Sequence, residues 1–344
     1  MSRVAAGTIW ILFSTVALAQ GGTGEWRFAV SGDSRNCGDI VMPAIAAGVR
    51  SNGAEFYWHL GDFRAIYTFD EDMGPQPNII GYEVNAWPDF IAHQLAPFGD
   101  LPVYLAMGNH ETIPPANRDQ FLIQFADWLD TPVLRTQRLH DDPRDHKPRS
   151  YYHWVSHGVD FITLDNASTD QFDSGQMEWF QNLIQRDSAS PEIQTIVAGM
   201  HEALPGSASS GHSMDDWPSG QVTGRAVYEA LWHAREAAHK NVYVVASHSH
   251  LYMEDIYDTT SWKGKVLPGW IVGTAGAFRY KVPPEAGPAQ KATAGVYGYL
   301  VGTVGADGAV AFEFHEVGLE DLLRANQGKQ PEPLVRWCFS SNKE

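Results

Sequence analysis

Five hydrophobic runs in this chain each stop at a residue able to hold a metal or a phosphate. Residues 26–31 stop at Gly32-Asp33-Ser34-Arg35, and residues 56–60 at Gly61-Asp62. Residues 102–107 stop at Gly108-Asn109-His110-Glu111, residues 195–200 at His201, and residues 242–247 at His248-Ser249-His250. In an open α/β sheet, ligands bind outside the carboxyl ends of the strands. Five such ends carrying Asp, Asn or His therefore point to one shared site. A lone Asp after a strand is usually a turn or helix-cap residue, and a lone His among fourteen carries little. The ordered set is what constrains the chain.

Strand and helix signals alternate, which selects an α/β layered fold over an all-β one. Helical spacing predicts helices over 41–51, 87–95, 117–129, 175–184 (with Trp179 and Leu183 inward) and 224–239. Residues 150–155 and 159–164 read as paired strands. Residues 270–273, 296–304 and 309–315 read as a closing set, with Asp307-Gly308 as a hairpin turn. Residues 63–82, 131–150 and 205–222 are rich in polar, Pro or Gly residues and read as loops. The middle one, with Pro132, Pro143 and Pro148, is a candidate rim of the site. From Asn326 the chain reads as a polar, weakly structured tail. No internal repeat or long linker appears, so the expectation is residues 1–19 as a leader, 20–325 as one catalytic domain and 326–344 as a tail.

Arg3, the apolar stretch 4–18 and the small residues of Ala17-Leu18-Ala19 fit a secretory signal cleaved before Gln20. The apolar part is shorter than the ~20 residues of a spanning helix, so no stable membrane anchor is expected after cleavage. Export implies a periplasmic or extracellular protein. The formal charge of −17 and the lack of a basic cluster disfavour binding to a nucleic acid backbone or an anionic membrane. Metal ions reverse such a field locally, so a small phosphoester remains an acceptable substrate. Cys37 and Cys338 are the only cysteines. A disulfide, two free thiols and a site role for Cys37 are all open.

Two metal ions ~3.5–4 Å apart clamp the attacking and leaving oxygens of a phosphoryl transfer, and need a carboxylate that bridges them. Asp33, Asp62, Asn109, His201, His248 and His250 supply such a set. Asp and His suit Mn, Fe or Zn, and Asn adds a neutral oxygen. His248 and His250, two apart past a strand, face the same side. Gly32, Gly61 and Gly108 permit the turns that present Asp33, Asp62 and Asn109.

In order and rough spacing these segments resemble the calcineurin-like metallophosphoesterase superfamily, whose pattern runs D-x-H, G-D, G-N-H-[DE], H, G-H-x-H. The segments Phe161-Ile162-Thr163-Leu164-Asp165, Gln176-Met177-Glu178-Trp179 and Gly273-Thr274-Ala275-Gly276-Ala277 are similar to the family as well. The resemblance implies a four-layer α/β/β/α sandwich with two mixed β-sheets. It implies two divalent or trivalent ions bridged by Asp62. Asn109, His201 and His248 complete one site, and Asp33 and His250 belong to the other. It implies a metal-bound hydroxide attacking phosphorus in line, with His110 stabilising the transition state or protonating the leaving oxygen.

Two positions depart from the family. Arg35 stands where a metal-binding His is usual, and arginine cannot ligate a cation. The Tyr of the purple acid phosphatase branch is also absent, because Gly61-Asp62 is followed by Phe63-Arg64-Ala65. Four outcomes are open: water fills the gap; Asp39, Cys37 or Tyr67 replaces the ligand; Arg35 turns inward and sets its fork on the phosphate; or Arg35 points out to a surface acid. Ser247, where Gly is usual, is a milder change. The expectation is a secreted, metal-dependent phosphoric ester hydrolase acting on a phosphomonoester or phosphodiester. Tyr67, Phe69, Tyr82 and Trp217 are candidate walls for the substrate. The rivals are a catalytically impaired relative that binds a phosphorylated ligand or partner, and an enzyme working with one ion.

Overall fold

The computed structural model describes residues 24–167 and 171–344, so the leader expected at 1–19 lies outside them. The chain opens with β1 (Trp26–Ser31), α1 (Gly38–Ser51), β2 (Ala54–His59), α2 (Ile79–Phe90) and β3 (Val103–Leu105). Helices α3 (Arg118–Gln124), α4 (Ala126–Leu129) and α5 (Pro132–Asp141) precede the pair β4 (Tyr152–Ser156) and β5 (Val159–Thr163). Two repeats of helix then strand follow: α6 (Ser174–Ala189), β6 (Thr195–Gly199), α7 (Pro218–Glu236) and β7 (Asn241–Ala246). Strands β8 (Tyr252–Glu254), β9 (Gly269–Val272), β10 (Ala292–Thr293), β11 (Gly298–Val304) and β12 (Val310–Glu316) lead to helices α8 (Leu319–Asn326) and α9 (Glu332–Ser341).

The strands form two mixed sheets, ordered β12-β11-β1-β2-β3 and β10-β8-β9-β7-β6-β5-β4. In the first, β1, β2 and β3 run parallel, and β11 and β12 add antiparallel. In the second, β5, β6, β7 and β9 run parallel. Successive residues of a strand face opposite sides, and here both sides are covered. Phe28, Val30, Phe56, Trp58, Phe161, Val197 and Val245 point into one core between the sheets. Ala29 and Tyr57 point out to α1. Ile162, Ile196, Ala198 and Val244 point out to α6 and α7. Burial on both faces explains why the strands read as unbroken hydrophobic runs. The result is the expected α/β/β/α sandwich. Each fully buried aromatic or aliphatic side chain adds about 1.5–3 kcal/mol.

Several local expectations need correction. Residues 131–150 do not form a loop over the site: α5 spans half of them, with Thr131 Oγ1 accepting from Leu134 N at 3.3 Å and Pro132 in the first turn. α5 packs against edge strand β4. α2 starts at Ile79, where Asn78 caps it, and α7 starts at Pro218. Residues 117–129 break into α3 and α4 at Phe125. Trp179 is half-buried, and Phe180 takes the inward place. The tail is not weakly structured, because α9 closes it and a Cys37–Cys338 disulfide spanning 301 residues ties it to the first loop. No helix among the described residues is long and apolar enough to cross a membrane.

Candidate metal centre

The carboxyl ends of the two sheets meet because backbone bonds stitch them together. Gly32 N donates to Val272 O at 3.0 Å, Ala275 N to Gly32 O at 2.9 Å and Ala277 N to Asp33 O at 2.8 Å. These bonds join the end of β1 to the end of β9, and Asp33 N donates to Gly61 O at 2.9 Å beyond β2. All six expected ligand residues converge there. The glycines do less than expected of the turning. Gly61 has φ +95°, but Asp33 (61°), Asp62 (60°) and His248 (65°) themselves adopt left-handed backbone. Such conformations cost of order 1–3 kcal/mol each and persist where neighbours over-determine them. Gly108 serves by its lack of a Cβ, which would lie 2.4 Å from Asp62 N.

Two ligand clusters share Asp62, the layout of a dinuclear site. Asp62, His201 and His248 offer donor atoms all within 4.8 Å of one another, and so do Asp33, Asp62 and His250. In the first cluster His201 Nδ1 donates to Leu60 O at 2.9 Å, which turns Nε2 toward the other ligands. That nitrogen lies 2.9 Å from Asn109 Oδ1, 3.0 Å from His248 Nδ1 and 3.3 Å from Asp62 Oδ1. Two oxygens and two imidazole nitrogens thus surround one point, the donor set a cation takes. Burial first, then His201, pushes His248 well below the usual histidine range, which keeps it an unprotonated ligand. Asp62 is held below the usual carboxylate range: burial opposes its ionisation, and the positive charge around it, Arg35 included, outweighs burial. Asp62, Asn109, His201 and His248 fit one cation.

The other half is different. Arg35 is turned inward, with its side chain 12% exposed. Its Nη1 lies 2.6 Å from His110 Nε2, its Nη2 3.1 Å from His250 Nε2, and its Nε 3.9 Å from Asp62 Oδ2. Burial opposes the Arg35 charge, but Asp62, then Tyr280 and Asp33, raise its pKa above the ordinary arginine value. His110 Nδ1 is bound to Ala65 O at 2.6 Å and His250 Nδ1 to Phe278 O at 2.7 Å. Both Nε2 lone pairs therefore accept from the guanidinium. In this arrangement His110 Nε2 is an acceptor, 2.6 Å from the guanidinium. Cys37 is in the disulfide and Asp39 is bound to Arg64, so neither replaces the missing ligand. Tyr67 reaches Arg35 instead, with its hydroxyl 3.3 Å from Nη1. Asp33, Asp62 and His250 remain grouped as the second candidate cluster, with Arg35 set against the free nitrogen of His250.

Other side chains support the ligands from around the site. Glu111 accepts from Asp62 N, Phe63 N and Gly108 N at 2.8–2.9 Å and so fixes two of the ligand turns. Tyr280 stacks on His250 at 4.1 Å, and His212 lies 5.5 Å from the His248 ring. Ser247 Oγ donates to Leu60 O beside His201, so this departure helps hold the His201 ring. Of the expected substrate walls, Tyr67 reaches the site. Tyr82 is buried and bonded to Asp70, and no contact ties Phe69 or Trp217 to the ligands.

The chain belongs to the calcineurin-like phosphoesterase family, whose model matches residues 27–252. Its fold is similar to purple acid phosphatase PPD1 from yellow lupin (Lupinus luteus) seeds, with TM-score 0.57 and 16% identity over 88% of this chain. This chain spans 56% of the lupin protein. It is also similar to PhoD, with TM-score 0.55 and 14% identity over 87% of this chain and 73% of that one. A dimetal phosphatase from Danio rerio matches with TM-score 0.51 and 10% identity, over 83% of this chain and 98% of its own. At such identities the likeness is one of fold. No curated protein matches by sequence.

Proposed function

We propose that the chain is a secreted, metal-dependent phosphoesterase acting on a small phosphomonoester or phosphodiester. The observation that carries this is the convergence of Asn109 Oδ1, Asp62 Oδ1 and His248 Nδ1 on His201 Nε2 within 3.3 Å, four atoms of metal-ligand type around one point. A cation held there lowers the pKa of its water towards neutrality and draws charge from phosphoryl oxygens. The remaining work falls to the chain. Leu60 O and Ser247 hold the His201 ring, and Glu111 holds the Asp62 and Gly108 turns. His110 keeps the Arg35 fork in place beside Asp62, where it neutralises phosphoryl oxygens. Tyr67, half exposed, lines the approach. The Cys37–Cys338 disulfide supports secretion, because such bonds persist in oxidising compartments.

The test is hydrolysis of p-nitrophenyl phosphate and its bis-ester, before and after chelation and with metal added back. Chelation abolishes turnover and add-back restores it; His201→Ala and Asp62→Asn each lower it at least about a thousandfold, ~4 kcal/mol of barrier. Turnover that survives chelation and both substitutions sinks the proposal. Bound metal without turnover on a broad panel of phosphoesters points instead to a binding protein, the reading that Arg35 in the site favours.

A further inference from the structure

We propose that the Arg35 guanidinium is the resident cation of the first half of the site, so that the chain binds one metal ion, on Asp62, Asn109, His201 and His248, and not two. This rests on the metal-dependent reading above. His250 has one nitrogen free to ligate, because its Nδ1 is committed to Phe278 O. An ion on Nε2 needs that lone pair along a bond of about 2.0–2.1 Å. Arg35 Nη2 already directs an N–H at it from 3.1 Å. One lone pair does not serve both. Arginine does not lose its proton to make way, and the nearby carboxylates of Asp62 and Asp33 favour its charge.

The backbone that carries Arg35 is pinned on both sides. Ser34 N donates to Asp62 O at 2.9 Å, and Cys37 N donates to Gly276 O at 3.2 Å. Asn36 N donates to the Asp70 carboxylate, and Cys37 is disulfide-bonded. His110 then locks the other arm of the fork at 2.6 Å. Asp62 Oδ2 has no hydrogen-bond donor, and the positive charge facing it is Arg35 Nε at 3.9 Å. Asp33 Oδ1, also without a donor, lies 3.3 Å from His250 Nε2. With Asp62 Oδ2 it is what remains to attract a second ion, so the ion count decides between the two arrangements. A guanidinium in this place supplies a fixed charge and a planar fork for two phosphoryl oxygens.

The experiment strips the full-length protein with chelator, reloads it with excess Mn2+, removes the free ion and counts Mn per chain by mass spectrometry. Electron paramagnetic resonance then separates isolated ions from coupled pairs. One Mn per wild-type chain, with the spectrum of an isolated ion, is expected. His248→Ala lowers the count to zero and His250→Ala leaves it at one. Arg35→His, which restores an imidazole, raises it to two with a coupled spectrum. Two ions per wild-type chain overturn the proposal while the metal-dependent reading stands. So does loss of the single ion in His250→Ala, or an Arg35→His protein that folds and still holds one. If Arg35→His does not fold, the wild-type and His250→Ala counts decide. A wild-type count of zero overturns the metal-dependent reading itself, and this proposal with it.

Discussion

Two buried arginines, Arg35 and Arg64, sit in the same part of the molecule and have opposite surroundings. Arg64 is enclosed by carboxylates: Nη1 lies 2.9 Å from Asp72 and 3.7 Å from Asp70, and Nη2 contacts Asp39 and Asp89. Those acids are themselves tied down, Asp72 to Asp39 N at 2.6 Å and Asp70 to the Tyr82 hydroxyl at 2.6 Å. Arg35 has no carboxylate within hydrogen-bonding distance. Its short contacts are two imidazole lone pairs and a tyrosine hydroxyl. Asp39, Asp89 and His93 would pass as a metal group on distance alone, but Arg64 already supplies their cation. A buried charge matched by hydrogen-bonded opposite charges is a structural device. One aimed at imidazole lone pairs beside the ligand cluster is kept for something that arrives.

The largest expected effect on stability follows from Arg64. Arg64→Met leaves Asp39, Asp70, Asp72 and Asp89 buried without their cation, and stranded buried charge costs about 3–5 kcal/mol. Urea unfolding at neutral pH measures it. The loss shrinks as pH falls, because the stranded carboxyls take up protons. A change under ~1 kcal/mol at neutral pH breaks the distinction drawn between the two arginines, on the usual scale for surface substitutions. Arg64 also supports the site from behind, since its acids hold the loop whose Ala65 O fixes His110.

Much of the site was legible because metal ligands at strand ends obey chain order: Asp33, Asp62, Asn109, His201, His248 and His250 each follow a hydrophobic run. The layering was legible because both faces of each sheet are buried. Proline misleads where it opens a helix. Pro132 and Pro218 lie in first turns, where a missing N–H costs nothing, yet in the sequence each signals a loop. Glu111 was legible only as the end of its motif, and Tyr280 and His212 were not legible, because their roles depend on loops folding back from distant parts of the chain. Nor did any pattern announce that three ligands would take left-handed backbone. Arg35 was legible as an anomaly, and only its surroundings say what kind.

A histidine extends the comparison to imidazoles. His153 lies between two carboxylates, with Nδ1 2.8 Å from Asp160 and Nε2 on Asp141. Burial opposes its charge, but Asp160 and then Asp141 push its pKa up to about 10. Raised above its ordinary value of 6.5, the group contributes stability that is complete below pH 6.5 and lost as pH rises through about 10. Wild-type stability should therefore fall across that window by on the order of 2 kcal/mol more than that of His153→Gln. Urea unfolding of both proteins at several pH values gives the difference. Parallel curves would mean that His153 is neutral.

The smallest expected change in stability belongs to Arg35, and it sharpens the contrast most. Arg35→Met removes a buried cation that no carboxylate grips, and leaves His110 and His250 with lone pairs facing the cleft. With metal removed by chelator, unfolding free energy should shift by no more than about 1 kcal/mol, because relief of the guanidinium's desolvation offsets its missing hydrogen bonds to the two imidazoles. Turnover with metal present should fall about 10²–10³-fold, the usual cost of losing one pre-set charge-stabilising donor. Neither result decides without the other. A protein destabilised as much as Arg64→Met would make Arg35 a packing residue, and one that turns over normally would place it outside the reaction. A stable fold with poor turnover leaves a single account: this cation is kept buried for phosphate, since the fold stands without it.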